Sequence, residues 1–168
     1  MTSLKTRGFY YKVYSLLPII FLYVSVLSEF DFNYLNLDYF SFNFPFILIF
    51  FFTLKESKNF DYLFVFFAGL INDTVVGLPL GISSLSYILI CISTSYFINI
   101  TIRPNQMRDW FYFLFVISLI NSINYSVLTL FFSYHLILMD YLVNTFFTFL
   151  FYIIFVNLFK YYLKGLDD

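Results

Sequence analysis

Charge is what this chain has least of. Only 11% of its 168 residues are Asp, Glu, Lys or Arg. A soluble domain carries about 25%, so a water-facing surface of ordinary size is excluded. The net charge is −1, which leaves no basic field to attract nucleic acid. There is a single cysteine, Cys91, in an apolar run. It excludes an intrachain disulfide and offers no metal-site spacing. The one histidine, His135, has no Cys/His cluster around it, so no metal or other cofactor is expected. Glycine is also scarce, and three of the five fall in one stretch with Pro79. In place of what is missing stand apolar residues, 61% of the chain with mean hydropathy +0.84. The excess of Phe (27) and Tyr (16) has no functional reading. The composition is that of an integral membrane protein, and the fold class expected is all-α.

A membrane-crossing helix needs about 20 apolar residues, within a range of about 17–25. The pattern predicts a helical bundle of six transmembrane helices, forming a single integral membrane domain over residues 1–168. The spans fall at about 13–28, 39–54, 60–78, 81–102, 110–132 and 136–159. Pro45 lies in the opening turns of the second, where proline is best tolerated. Lys55 to Lys58 separates the second from the third, and Arg103 to Asp109 reads as the clearest loop. Lys5, Arg7 and Lys12 precede the first span. Lys55 and Lys58 follow the second, Arg103 and Arg108 the fourth, and Lys160 and Lys164 the sixth. These are all nine Lys and Arg of the chain. With six spans they fall on one side, which the positive-inside rule makes cytoplasmic. Both termini are therefore expected inside the cell, and Glu29, Asp31, Asp38 and His135 outside. The first span resembles a signal peptide in its basic flank, but with five spans behind it it reads as an anchor. No polar segment is long enough to form a soluble domain, and no repeat or heptad pattern is present.

The stretch Gly69-Leu-Ile-Asn-Asp-Thr-Val-Val-Gly-Leu-Pro-Leu-Gly81 stands out. It places Asp73 in an apolar span, about 20 Å from the Phe60 end and past the bilayer midplane. Inserting an Asp at the centre costs about 2.5–3.5 kcal/mol, and apolar neighbours such as Leu63, Phe67 and Ile71 offset it at about 0.3–0.6 each. The acid should face protein or water rather than lipid. Gly69, Asp73, Gly77 and Gly81 are spaced by four, so they share a face as far as the helix runs. Pro79 and its flanking glycines predict a tight outer turn. Two readings follow for Asp73. It bonds a neighbouring hydroxyl or amide at a packed helix end, or it forms a site for a partner, ion or substrate. Asp140, Asn144 and Thr148 form a second polar stripe on the sixth span. Serines and asparagines of the fourth and fifth spans read as interhelical hydrogen-bonding groups.

Gly69-Leu70, Asp73, Gly77 and Pro79-Leu80-Gly81, followed by Leu85 and Tyr87, resemble the signature of the rod shape-determining protein MreD family. The resemblance covers roughly residues 44–160, including the proline that opens the second span. The first span and the loop after it match only in character. It implies a non-enzymatic scaffold of the bacterial cell-wall elongation machinery, multi-pass in the inner membrane. The partners it implies are an MreC-like bitopic protein, a RodA-type glycosyltransferase, a class B penicillin-binding protein and MreB, with membrane lipid around the helices. A second reading is the substrate-binding subunit of an energy-coupling-factor vitamin transporter, a family similar in architecture. Its first span carries an Ala-x-x-x-Ala motif, whereas Ser15, Ser25 and Ser28 are the only small residues here. A third is an ion or proton path through Asp73 and Asp140, for which two acids toward one side make a poor continuous route.

Overall fold

The computed structural model describes residues 16–27, 41–55, 60–101, 105–134 and 137–164. Among these residues the fold is all helical. The helices are α1 (Leu16–Leu27), α2 (Phe44–Leu54), α3 (Tyr62–Val76), α4 (Ile82–Ile100), α5 (Gln106–Phe132) and α6 (Leu138–Lys164). Ile82–Ile100, Gln106–Phe132 and the Leu138–Tyr161 part of α6 are long and apolar enough to cross a membrane. The other three are apolar but shorter. This is the composition and architecture of a helical membrane protein.

Each helix overlaps a predicted span, and the ends differ for local reasons. α2 begins at Phe44 rather than near residue 39. Asn43 caps it, its Oδ1 accepting the Phe46 N–H at 3.3 Å, and Pro45 sits in the first turn. α3 stops at Val76, because Gly77 turns the backbone left-handed at φ 74°. α5 begins at Gln106, four residues earlier than expected. The Asn105 side chain accepts the Met107 N–H at 3.1 Å, and Asp109 lies in the first turn, where a helix dipole favours an acid. The polar run read as a loop is therefore partly the start of a helix. α6 continues beyond Phe159 to Lys164. Residues 1–15, 28–40, 56–59, 102–104, 135–136 and 165–168 lie outside the described residues. With them go the predicted positions of Lys5, Arg7, Lys12, Lys58, Arg103, Glu29, Asp31, Asp38 and His135.

The chain divides into two compact units. The first comprises Met1–Glu29 with Leu48–Tyr96, the second Phe30–Ile47 with Phe97–Asp168. In the first, Leu22, Val26, Phe50, Val65, Ala68 and Ile90 are buried. The Tyr23 hydroxyl donates to the Phe64 carbonyl at 3.2 Å, which ties α1 to α3. In the second, Phe113, Ile117, Ile120, Tyr152 and Val156 are buried, and α5 runs antiparallel to α6.

Candidate functional site

Asp73 lies one turn before the end of α3 and is completely buried. Its two polar groups do different work. The backbone carbonyl closes α3, accepting the N–H of Gly77 and, at 2.9 Å, that of Leu78. That is the left-handed helix ending in which glycine satisfies the last carbonyls. The carboxylate caps α4. Oδ2 accepts the Gly81 N–H at 2.7 Å, and Oδ1 accepts the Ser83 N–H at 2.8 Å. A negative group at a helix N-terminus fills donors that have no intrahelical partner and lies at the favourable end of the dipole. One residue thus seals the end of one helix and the start of the next. Each hydrogen bond to a charged group is worth about 1.5–3 kcal/mol. Two of them, about 3–6 kcal/mol together, are of the size needed to offset the cost of about 2.5–3.5 kcal/mol for placing an Asp in a bilayer.

The neighbours complete a joint between α3 and α4. Gly69, one turn before Asp73, faces the backbone of α4. A Cβ built there would lie 2.4 Å from Ser84 Cα and 2.5 Å from Ser84 N. No side chain fits, so glycine allows the two backbones to touch. The Ser84 hydroxyl donates to the Phe66 carbonyl at 3.1 Å, and Asn72 Nδ2 donates to Ser83 Oγ at 2.9 Å. Gly77 and Gly81 meet nothing within 4 Å of an added Cβ; they are required by φ values of 74° and 104°. Pro79 lacks an N–H and so leaves none to satisfy, while its carbonyl accepts the Ile82 N–H at 3.3 Å. Because α3 ends at Val76, only Gly69 and Asp73 share a helical face. The four-residue spacing continues into the turn, where it serves backbone conformation rather than packing. Of the two residues after the turn, Tyr87 is buried and Leu85 is half exposed.

The second polar stripe has a simpler task. Thr148, fully buried, accepts the Asn43 N–H at 2.8 Å through Oγ1 and donates to the Asn144 carbonyl at 2.6 Å. Asn144 Nδ2 donates to Ser41 Oγ at 3.1 Å. These bonds fix the segment that leads into α2. Asp140 is exposed in the first turn of α6, on the favourable side of that helix's dipole. The structure therefore brings Asn144 and Thr148 together around residues 41–43, and Asp140 takes no part there.

Comparison with known proteins gives no match: no protein-family model, no curated protein and no solved structure is similar to this chain.

Among the described residues no group of three or more His, Cys, Asp or Glu is placed to hold a metal ion. Every buried side-chain nitrogen and oxygen in them has a hydrogen-bond partner. Both oxygens of Asp73 are engaged by protein donors, so the carboxylate acts as a mortise between two helices. Sequence reasoning missed Asp109, which is buried at the start of α5 and lies 3.7 Å from Arg108. The signal was present: Asn105 ahead of a long apolar run, with an acid in the first turn, is a helix-start pattern. It also missed Trp110, whose indole N–H donates to the Phe149 carbonyl at 2.8 Å while its ring stacks on Phe149 at 4.4 Å. Nothing in a single sequence pairs those two positions.

Proposed function

We propose that this chain is a membrane-embedded, non-enzymatic scaffold of the bacterial cell-wall elongation machinery, of the MreD type. The observation that carries the reading is the joint itself. Five of the residues on which the resemblance rests (Gly69, Asp73, Gly77, Pro79 and Gly81) are the ones that lock α3 to α4. Each holds backbone geometry: a contact, a cap, two left-handed residues and a turn. A motif in which these five residues all hold shape fits a protein whose task is to present a fixed surface to partner helices. On this reading all Lys and Arg side chains lie on the cytoplasmic side, and both termini are in the cytoplasm of a cell with a multi-pass inner-membrane location. The partners are an MreC-like bitopic protein and, through it, a RodA-type glycosyltransferase, a class B penicillin-binding protein and MreB.

The test is affinity purification of the tagged chain in mild detergent, with identification of what stays bound. An MreC-like protein and a RodA-type protein are expected, and both should be lost from Asp73→Ala at equal protein level. Recovery of a pair of coupling ATPases, or of a tightly bound vitamin, would replace this reading with the transporter substrate subunit. A tag after Asp168 reporting from the periplasm would overturn the orientation.

A further inference from the structure

The exposed side of α5 carries a cation at its head. Arg108 lies in the first turn of a helix long and apolar enough to cross a membrane. Phe111, Phe115 and Leu119 follow it at spacings of three and four, so the four residues share a face. All three apolar side chains are exposed, Phe115 at 63% the most open of them. From Arg108 to Leu119 is about 16 Å at 1.5 Å per residue. One leaflet's share of a hydrocarbon core about 30 Å thick is about 15 Å, so the column matches an acyl chain in length.

The guanidinium at the head of the column is held in place. Its Cζ lies 5.3 Å from the centroid of the Phe97 ring, in the last turn of α4. Phe97 is itself buried and stacked on Tyr112 at 4.0 Å. A cation over an aromatic face is attracted by the ring quadrupole. Arg108 Nη2 also lies 3.7 Å from Asp109 Oδ1, but the two charges are not presented equally. The Arg108 side chain is 40% exposed and that of Asp109 only 11%, so the charge turned outward is positive. Lys160 adds to it: its Nζ donates to Gln106 Oε1 at 2.9 Å and so lies level with the same turn. A guanidinium carries five N–H donors in a fork that matches a phosphate. Because it is already positioned, less freedom is lost when an anion binds.

We propose that the exposed face of α5 is a binding site for an anionic phospholipid, with the headgroup phosphate on Arg108 and an acyl chain along Phe111, Phe115 and Leu119. The order of the site is the order of the ligand, charge first and then one leaflet of hydrocarbon. The apolar column selects a lipid over a soluble phosphate, and the net positive surface selects an anionic headgroup over a zwitterionic one. The inference does not depend on the elongation-machinery reading, since it rests on the charge, exposure and spacing of these side chains alone.

Trp110 is the only tryptophan of the chain, so Trp110→Phe gives a dark background for a single reporter. The reporter is placed by Phe115→Trp in the column or, as a control, by Leu150→Trp on the exposed side of α6. Phe113 stacks on Tyr152, so positions 115 and 150 lie at one depth. Each protein is reconstituted in mixtures of phosphatidylcholine and phosphatidylglycerol, one or the other brominated on its acyl chains. Quenching then gives the relative binding constant of the two lipids at each reporter. At position 115 phosphatidylglycerol should be favoured at least about threefold, and at position 150 much less. Arg108→Gln should bring the value at 115 down to that at 150, and Arg108→Lys should keep part of it. No preference at 115 in the protein with Arg108 intact overturns the proposal, whether or not the Gln variant folds. An equal preference at both positions also overturns it, because it would mean uniform attraction to the basic end of the helices. So does a preference at 115 that survives Arg108→Gln.

Discussion

The two helical hairpins of this chain are fastened in opposite ways. α3 and α4 are joined chiefly near their closed end, by backbone meeting backbone at Gly69 and by the single carboxylate of Asp73, with one side-chain bond at the other end between the Tyr62 hydroxyl and Ser95 Oγ at 2.9 Å. α5 and α6, 27 residues each, are joined along their length by side chains. Lys160 Nζ donates to Gln106 Oε1 and Gln106 Nε2 to Asn157 Oδ1, both at 2.9 Å. Trp110 stacks on and bonds to Phe149. Phe113 stacks on Tyr152 at 4.4 Å, Asn121 Nδ2 donates to Thr145 Oγ1 at 2.7 Å, and Tyr125 meets Tyr141 edge-on at 5.5 Å. In the first hairpin a few atoms carry the fastening, so its loss is concentrated. In the second many modest contacts share it, so single losses are diluted.

The contrast is sharpest at Asp73. Asp73→Ala strands the N–H groups of Gly81 and Ser83, and an orphaned buried donor costs about 1–3 kcal/mol. A loss of about 2–6 kcal/mol is expected, read by reversible unfolding in mixed micelles. Asp73→Asn should recover only part of it, because the amide offers one acceptor and turns its NH₂ toward the other donor. If Asn is as stable as Asp, the carboxylate is not the fastening and the comparison fails.

Gly69→Ala comes next. The added methyl meets the Ser84 backbone at 2.4 Å, and a backbone cannot rotate away as a flexible side chain can. Overpacking of this kind costs about 1–3 kcal/mol, with α3 and α4 forced apart. A distance measured between labels on the two helices should lengthen. Gly77→Ala separates the two roles of glycine here. Nothing crowds it, so only the left-handed backbone resists, at about 1–2 kcal/mol, and the spacing of α3 and α4 should stay unchanged.

The reach of sequence reasoning differs between the hairpins for the same physical reason. The Asp73 joint is local. An acid in an apolar span beside Gly77, Pro79 and Gly81 announces a turn, and the turn is there. The pattern leaves open whether the acid bonds a neighbouring group or forms a site; its carboxylate accepts the backbone N–H groups of Gly81 and Ser83. What the spacing could not tell was that α3 ends at Val76. Periodicity runs on through a turn, and only φ separates a packing glycine from a conformational one. The α5–α6 ladder is non-local. Asn121 and Thr145 are visible as polar residues in spans, but their pairing depends on helix rotation, which apolar composition on all sides leaves open. The stripe through Asn144 and Thr148 was legible as a stripe. Its partner, the backbone of Asn43 105 positions away, was not.

Thr148→Val tests whether distributed fastening is as weak per contact as the comparison requires. The swap keeps the shape but strands the Asn43 N–H, so the expected cost is about 1–3 kcal/mol. That is more than a bond between two side chains should cost, since here too a backbone donor is left alone. Asn121→Ala should fall below it. It removes a bond between two side chains, Thr145 keeps its 2.7 Å bond to the Tyr141 carbonyl, and interhelical bonds of this kind average about 0.6 kcal/mol in membranes. Unfolding of Asn121→Ala should therefore differ from the parent by less than half the effect of Thr148→Val. A loss as large as that of Asp73→Ala would mean that one rung holds the second hairpin as one carboxylate holds the first.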